Sequence, residues 1–343
     1  MMTPMTAAPD DPFDFPDLAA ERLGGAVVAA NDEFFAPKEA LIKISAPEWR
    51  EGVYTENGKW MDGWETRRRR EPGHDWAVVQ LGLAGVVRGV VVDTSFFTGN
   101  YPEHASLDWC AVDGTPSAAE LADPKVKWQP LLAKSALKGN AANPFAIANA
   151  IAIADAPARV THLRLNIFPD GGVARLRVHG QPVPDPGVFT AGREVDLAAM
   201  ANGGFVLSCS DMHYGHRQNL LQPGRSTHMG DGWETKRRRG AGHDWTIIRL
   251  ARRGRVERIE LDTDHFKGNA PGSCMLEACD ASASGGFDPA KATWTPLHAD
   301  SKLEPHARVT WDSATVTPAT HVRLNIYPDG GVARLRLFGR TEG

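Results

Sequence analysis

The chain contains two copies of one long sequence, and this internal duplication constrains its fold more than any other feature. Residues 62–76, DGWETRRRREPGHDW, recur as residues 231–245 with 12 of 15 positions identical. Residues 161–177, THLRLNIFPDGGVARLR, recur as residues 320–336 with 15 of 17 identical. The repeating unit spans about 160 residues, which is the size of a whole domain and too long for a solenoid repeat. The sequence therefore predicts a tandem duplication of one domain within 343 residues.

Local composition indicates where the two copies begin and end. The segment 181–192, QPVPDPGVFTAG, holds three prolines in five positions, which prevents regular structure and favours an extended connection. We therefore predict a first module at 23–182, a linker at 183–199 and a second module at 200–343. Residues 1–22 are rich in proline and aspartate, and we expect them to form an N-terminal tail that packs loosely or not at all.

The hydrophobic pattern of each copy is typical of antiparallel β-structure. At residues 162–167 leucine and isoleucine alternate with arginine and asparagine, then PDGG supplies turn residues and the alternation resumes. Short β-branched runs bounded by glycine occur at 76–81 and 86–93, with counterparts in the second copy. These patterns predict an all-β fold in which each of the two tandem modules is a β-sandwich or jelly roll with few short helices.

Composition excludes several classes of protein. A net charge of −4 and an isoelectric point near 6.3 create no field that would hold a polyanion, so nucleic acid is not an expected partner. No apolar run approaches the ~18 to 20 residues that a bilayer requires, so we expect no membrane span and no membrane partner. The first cation of the chain is Arg22, so the N-terminal segment lacks the positive charges of a signal or transit peptide. The four cysteines do not have the spacing of a disulfide framework, a zinc site or a redox motif. We expect reduced thiols and a cytoplasmic location.

A run of four cations occurs in each copy, at residues 67–70 and 236–239. Such a run often marks a nucleic-acid or targeting patch, but here it lies between a predicted turn and a predicted strand. Alternate residues of an extended segment point to opposite sides. We therefore expect some of these cations to pair with carboxylates inside the module and others to meet an anionic ligand, an arginine through its bidentate fork.

Among the repeated polar residues, the pairs most typical of a catalytic site are His74-Asp75 and His243-Asp244. A neutral imidazole exchanges a proton near physiological pH, and a carboxylate can orient it. Adjacent residues in a strand point to opposite faces, however, so the aspartate need not touch its neighbouring histidine. A structural or purely binding histidine is the alternative interpretation.

One polar segment differs between the copies. The second copy has SDMHYG, with Asp211 and His213, where the first has Asp32 followed by EFF and no imidazole. The aspartate persists while its surroundings change. This asymmetry predicts that the two copies are not functionally equal.

The sequence contains no recognisable motif for a cofactor. It lacks the glycine-rich dinucleotide and nucleotide-triphosphate loops and the nucleophile elbow of serine hydrolases. The 12 histidines are scattered without the spacing of zinc sites. We therefore expect no required cofactor. A divalent metal, manganese or zinc, remains an alternative because the His-Asp pairs could ligate it, and the metal-binding residues are unknown.

Taken together, the repeated motifs strongly resemble the allantoicase family. The resemblance rests on GWETRRRREPGHDW, GDGWETKRRRGAGHDW, SDMHYG, NLLQPG, VVVDTSFFTGN, LDTDHFKGN and the paired RLNIFPDGGVARLR and RLNIYPDGGVARLR, and it spans about 23–339. It implies tandem jelly-roll modules, assembly into a homo-oligomer, and hydrolysis of allantoate to ureidoglycolate and urea in allantoin degradation. Each module is also similar to galactose-binding and discoidin-type domains, in which the loops at one end of the sandwich hold the ligand.

The chemistry of allantoate suggests which residues form its site. Its carboxylate needs a cation, its two ureido groups need acceptors, and breaking the C–N bond needs an acid for the departing urea and a base for water. The candidate catalytic residues are Glu65, His74, Asp75, His213, Glu234, His243 and Asp244. The candidate substrate-binding residues are Asp32, Arg68, Arg164, Asn166, Asp211, Arg237, Arg323 and Asn325. A metal-bound hydroxide is the alternative nucleophile.

Two other classes of function share the predicted fold. A non-catalytic tandem carbohydrate- or small-ligand-binding protein would carry sugar-stacking aromatics at its loop tips and would not need His-Asp in both copies. A purely structural oligomer subunit would leave the matched polar segments without a purpose. Release of urea from allantoate separates the enzyme from both.

Overall fold

The chain folds into two compact units, Asp11–Val183 and Pro184–Gly343, which we call the first and second modules. The structure is a computed structural model that describes residues 11–147, 152–153, 156–157, 159–282 and 286–342. Each module is a jelly-roll β-sandwich, so the predicted all-β fold of two tandem sandwiches is confirmed.

The first module consists mostly of strands. Its described strands are β1 (Ala26–Ala30), β2 (Tyr54–Thr55), β3 (Gly58–Lys59), β4 (Trp64–Glu65), β5 (Asp75–Asp93), β6 (His104–Cys110), β7 (Gln129–Ala136), β8 (Ala142–Ala146), β9 (Ala152–Ile153), β10 (Ala156–Pro157), β11 (Val160–Phe168), β12 (Gly172–Val173) and β13 (Arg175–Pro182). Its described helical segments are the α-helix α1 (Ala118–Leu121) and the 3-10 turns Pro12–Asp14, Glu21–Leu23 and Lys38–Ile42.

The second module repeats the order of the main paired strands. Its described strands are β14 (Val195–Asp196), β15 (Phe205–Cys209), β16 (Trp233–Glu234), β17 (Asp244–Asp262), β18 (Ser273–Cys279), β19 (Thr295–Lys302), β20 (Arg308–Asp312), β21 (Pro318–Tyr327), β22 (Gly331–Val332) and β23 (Arg334–Thr341). Its described helical segments are the 3-10 turns Pro186–Phe189, Met200–Asn202, Arg217–Leu221 and Met229–Asp231. The expectation of few short helices is confirmed for the described chain.

A single long strand belongs to both layers of each sandwich. The first half of β5 pairs with β1 and β11, and that sheet continues through β6 and β7. The second half of β5 pairs with β13 and β8. In the second module β17 pairs first with β15 and β21 and then with β23 and β20. The two β-branched runs predicted separately are therefore one continuous strand that turns from one layer into the other.

The alternation seen in the sequence sets the inner and outer faces of the sandwich. Leu163, Leu165 and Ile167 of β11 are fully buried in the core of the first module. Burial of each such side chain stabilises the fold by roughly 1.5–3 kcal/mol. Arg164 and Asn166 lie on the opposite face of the same strand, where they contact β6. The outer face of this sheet therefore carries the polar residues of the repeated motif.

Each module begins earlier than we expected from the sequence. Leu18 is fully buried, and its backbone N–H donates to the carbonyl of Val178 at 2.7 Å. Leu197 is buried in the same way, and Asp196 pairs with β23. The tail predicted at 1–22 and the linker predicted at 183–199 are therefore too long, because these leucines fill positions in the cores. Residues 1–10 of the predicted tail lie outside the described part.

Two further expectations concern the cysteines and the membrane. All four cysteines are free thiols, as predicted: Cys110, Cys209, Cys274 and Cys279. Burial raises the pKa of Cys110 to about 11, which keeps its thiol protonated. Among the helices in the described ranges, none has the length and apolar character needed to cross a membrane.

Candidate active site

The Asp-Gly pair of each repeat is part of the scaffold. The carboxylate of Asp62 accepts a hydrogen bond from the fully buried Arg175 at 2.6 Å, and Arg175 also donates to the Asp62 carbonyl. Arg334 and Asp231 form the matching pair in the second module at 3.1 Å. These ion pairs tie the start of the DGWET motif to the closing strand.

The four-residue basic segments alternate as the sequence predicted. Arg67 Nε donates to Asp32 Oδ2 at 2.6 Å, and Arg69 Nη1 donates to Asp75 Oδ1 at 2.6 Å. Arg68, between them, is exposed. In the second module the corresponding pairs are Lys236 with Asp211 and Arg238 with Asp244, and the exposed arginines are Arg237 and Arg239.

Asp32 and Asp211 hold the basic loops in place. The Asp32 carboxylate accepts from the backbone N–H groups of Phe34 and Arg67, each at 3.1 Å. Burial acts to raise the pKa of Asp32, but these N–H groups and the Arg67 guanidinium together lower it below its ordinary value. Asp211 has the same arrangement with His213 and Lys236, and its pKa is lowered for the same reasons. Both carboxylates are therefore ionised acceptors.

The loop of the second module encloses a basic cleft of about 210 Å³. Residues 236–240 line it together with Asp211 and Asp244. Two of the four cations that line it, Lys236 and Arg238, are neutralised by these aspartates, which leaves the charge of Arg237 and Arg239. Such a cleft suits a small anion, since an arginine fork binds a carboxylate in a bidentate manner.

The aspartate of each His-Asp pair does not orient its neighbouring histidine. Asp75 is 2% exposed and Asp244 is 1% exposed, and each accepts from a residue that precedes the motif, Asn31 or Ser210. Together with their arginine partners, these aspartates form buried ion pairs that support the basic loop. We expected these aspartates to be catalytic. In the structure they pair with arginine and do not orient the neighbouring histidine, because adjacent side chains in a strand point to opposite faces.

The second module instead orients His243 through a distant asparagine. His243 Nε2 lies 3.1 Å from Asn325 Oδ1, and its ring packs against Tyr327 with centroids 4.7 Å apart. Asn325 Nδ2 donates to Glu277 Oε2 at 2.9 Å, and Arg323 binds the same oxygen. The structure thus brings together three predicted site residues and adds Glu277.

Glu277 was missed by the sequence analysis, although a signal for it existed. It faces Arg323 across β18 and β21, as Asp108 faces Arg164 across β6 and β11. An acidic residue therefore occupies the same strand position in both copies. Because this residue is aspartate in one copy and glutamate in the other, comparison of identical segments does not reveal the correspondence.

The corresponding face of the first module is arranged differently. Arg164 and Asn166 both donate to Asp108 Oδ2, at 2.9 and 3.0 Å, and Asn166 also donates to Ser106. His74 is exposed against Phe168, and no hydrogen bond links it to Asn166 in the described part of the chain. A cavity of about 270 Å³ lies beside Arg164, and its lining residues are Ala29, Trp76, Val78, Ala118, Leu121, Ala122, Trp128 and Arg164.

The glutamates of the WET motif form a separate contact. Glu65 accepts from Asn100 at 2.7 Å, and Glu234 accepts from Asn269 at 2.5 Å. This contact gives the asparagine that recurs in both copies the same partner in each module. Burial raises the pKa of the Glu65 carboxyl above its ordinary value, and the hydrogen bond from Asn100 offsets only part of that rise.

The remaining candidate, His213, stands apart from His243. Its exposed ring meets Tyr214 edge-on with centroids 4.5 Å apart, and no hydrogen bond to His243 occurs within the described ranges. The same ranges contain no cluster of three or more His, Cys, Asp or Glu side chains that could hold a metal ion.

Comparison with known proteins gives one consistent family. The family model for the allantoicase repeat matches residues 16–183 and again 195–342. Probable allantoicases of Pseudomonas aeruginosa strain LESB58 and Nocardia farcinica are 48% and 49% identical to this chain, over 95% and 98% of its length and 96% and 97% of theirs.

Solved structures agree with the sequence comparison. The crystal structure of allantoicase from Saccharomyces cerevisiae superposes with a TM-score of 0.75 at 34% identity, covering 94% of this chain and 92% of that one. A second allantoicase structure gives a TM-score of 0.78 at 35% identity, covering 95% and 93%. With both repeats matched, the relatives covered almost end to end and the fold shared, this chain belongs to the allantoicase family.

Proposed function

We propose that this chain hydrolyses allantoate to ureidoglycolate and urea, and that the second module carries the chemistry. The observation that supports this most directly is the placement of His243. This histidine is held by Asn325 and belongs to the same loop that presents Arg237 and Arg239 in a basic cleft. One short segment thus provides both a proton-transfer group and a cationic surface that no described carboxylate neutralises. We infer the substrate from the family to which the chain belongs.

The reaction replaces a C–N bond with a C–O bond at the central carbon. Oxygen from water bonds to that carbon, the ureido nitrogen leaves with the electron pair, and it takes up a proton as urea departs. A base must accept a proton from the water, and an acid must donate one to the leaving nitrogen. We propose that His243 is the base that accepts the proton from water. Among the described residues, only one nitrogen of its imidazole has a hydrogen-bond partner.

We propose that Arg237 binds the carboxylate of the substrate. Its guanidinium is exposed in the cleft, and no described carboxylate pairs with it. Arg323 and Asn325, also predicted to bind substrate, are engaged with Glu277, so we assign them to holding His243. Glu234 of the second module stays the candidate for the acid, and Glu65 is its counterpart in the first module, where it accepts from an asparagine in the same way.

Three further proposals concern the surroundings of the enzyme. We propose that turnover requires no organic cofactor, because the chemistry assigned here uses side chains alone. Self-association is supported by large apolar side chains that are exposed on one segment of the first module: Ile44, Trp49, Val53 and Tyr54. The four free thiols favour the reducing cytoplasm.

The test is release of urea from allantoate by the purified full-length chain. We expect urea and ureidoglycolate in equal amounts. Assays with a chelator and with added manganese or zinc measure the metal dependence separately. Well-folded protein that releases no urea under any of these conditions would contradict the proposal.

Matched variants locate the site within the duplicated chain. His243→Ala should lower kcat about 10²- to 10⁴-fold, the usual contribution of an acid or base. His74→Ala, the same change in the first module, should have a smaller effect because His74 has no hydrogen bond to Asn166. Equal losses in both variants would instead indicate two equivalent sites.

A further inference from the structure

The hydrogen bonds around His243 form a directed chain. Arg323 donates to Glu277 Oε2 through Nε at 2.8 Å, and its Nη2 lies 2.6 Å from the same oxygen. Asn325 Nδ2 donates to this oxygen at 2.9 Å, and Asn325 Oδ1 faces His243 Nε2 at 3.1 Å. The Glu277 side chain is mostly buried, so these contacts replace those that water would make.

The chemistry of each group fixes the direction of the next. A carboxylate only accepts hydrogen bonds, so the Asn325 atom facing Glu277 must be the amide nitrogen. The amide oxygen then faces His243, and because that oxygen only accepts, His243 Nε2 must carry the hydrogen. In a neutral imidazole this leaves the lone pair on Nδ1.

We propose that Glu277 is a positioning residue that sets the tautomer of His243 through Asn325, so that Nδ1 is the atom available to take a proton. The proposal rests on the proposed function for the use made of that proton, but the tautomer itself is independent of it. A histidine in the other tautomer would present an N–H to water and could not act as its base.

The first module shows the same strand positions without this chain of contacts. Asn166 Nδ2 is shared between Ser106 and Asp108, and Asn166 Oδ1 has no partner among the described residues. The residue opposite Asn325 in the second module is Met275, whose side chain offers no hydroxyl. Two substitutions between the copies, Ser106 to Met275 and Asp108 to Glu277, therefore accompany the contact between asparagine and histidine.

The experiment reads the tautomer directly in the full-length chain. With histidine ¹⁵N-labelled and the His243 signals identified by their loss in His243→Gln, we expect the neutral ring to show a protonated Nε2 and an unprotonated Nδ1. Glu277→Met removes the acceptor, so the proportion of this tautomer should fall. We expect kcat to decrease about 10-fold or more with little change in KM.

Matched controls separate positioning from a general loss of structure. Asp108→Leu removes the corresponding carboxylate in the first module and should leave the His243 signals unchanged. In the double variant Glu277→Gln with Asn325→Asp, a carboxylate again faces His243 and an amide supports it, so the Nε2–H tautomer should return. This double variant also decides the matter if Glu277→Met does not fold.

Several outcomes would overturn the proposal. A neutral wild-type His243 that carries its hydrogen on Nδ1 would do so, as would an unchanged tautomer in folded Glu277→Met. Equal shifts in Asp108→Leu, or loss of the Nε2–H tautomer in the double variant, would also contradict it. Absence of urea release from the wild-type chain would count against the proposed function alone, because the ¹⁵N signals do not depend on turnover.

Discussion

At the scale of single residues, side chains that look catalytic in the sequence separate into two groups. Asp75 and Asp244 are buried partners of arginine, and they support the basic loop. His243 is held instead by Asn325, a residue 82 positions away. The sequence pattern named these side chains as candidates but did not predict the partners of each, because adjacent side chains in a strand point apart.

Arg175 offers a test of the scaffold at this scale. It is fully buried and donates to the Asp62 carboxylate and to the carbonyls of Ser45, Asp62 and Ala174. Arg175→Met should lower the free energy of unfolding by about 3–5 kcal/mol, because it leaves a buried carboxylate without its main partner.

Urea denaturation monitored by tryptophan fluorescence measures this change. Arg70→Met is the control, since Arg70 is an exposed cation of the same motif region and its loss should change stability by no more than about 0.5 kcal/mol. Equal midpoints for wild type and Arg175→Met would show that the buried pair does not stabilise the fold.

At the scale of elements, the short pairing of β4 with β12 joins the DGWET motif to the PDGG turn. Glu65 pairs with Gly172 and Trp64 pairs with Val173, and β16 and β22 repeat this register in the second module. The two most similar segments of the sequence are therefore neighbours in space. Their joint retention in both copies follows from this contact as well as from the site.

Gly172 shows how closely these elements approach. A Cβ atom at this position would lie 1.9 Å from the ring of Phe97, which is fully buried. Gly172→Ala should therefore destabilise the first module by about 1–3 kcal/mol or more, as overpacking does.

The matched control for this element is Gly99→Ala, where an added Cβ meets no atom within 4 Å. Thermal unfolding followed by circular dichroism compares the two variants. Adding Phe97→Leu to Gly172→Ala should recover part of the loss by making room for the methyl group. No difference between the two alanine variants would mean that the backbone moves apart at little cost.

At the scale of the whole molecule, each module contains one buried neutral histidine on the outer face of its sheet. Burial lowers the pKa of His162 from 6.5 to about 4. Burial and the charge of Arg249 lower the pKa of His321 to about 4. The Nδ1 atoms of the two rings meet the hydroxyls of Thr161 and Thr320, so this one contact is the same in both modules.

These histidines predict how stability depends on pH. Above pH 6.5 both the folded and the unfolded chain hold them neutral, so they have no effect. Between pH 6.5 and about 4 the unfolded chain takes up protons that the folded chain cannot, and stability falls by about 3 kcal/mol per histidine.

Urea unfolding across this pH range checks the prediction. The double variant His162→Gln with His321→Gln should show a flatter profile than wild type. Carboxylates contribute to both profiles alike, so the difference isolates the histidines. Parallel profiles would refute the assignment.

The sequence by itself determined the duplication, the sandwich fold and the alternation of the basic loop, because repetition and strand periodicity are local properties. It also named His243, Arg323 and Asn325 as candidate site residues, and the structure brings these three together. It did not determine their connection through Glu277, because contacts between strands depend on register, and Asn325 and Glu277 are 48 positions apart.

Only the tertiary structure decided which outer-face residues are covered. Alternation places His321 with Arg323 and Asn325 on the polar face of β21, yet Phe287 from another segment stacks on the His321 ring at 3.7 Å. Coverage depends on where a distant loop packs, and periodicity carries no information about that. For the same reason periodicity did not predict the burial of Leu18 and Leu197, since each contacts a strand far along the chain, through Val178 and Leu337.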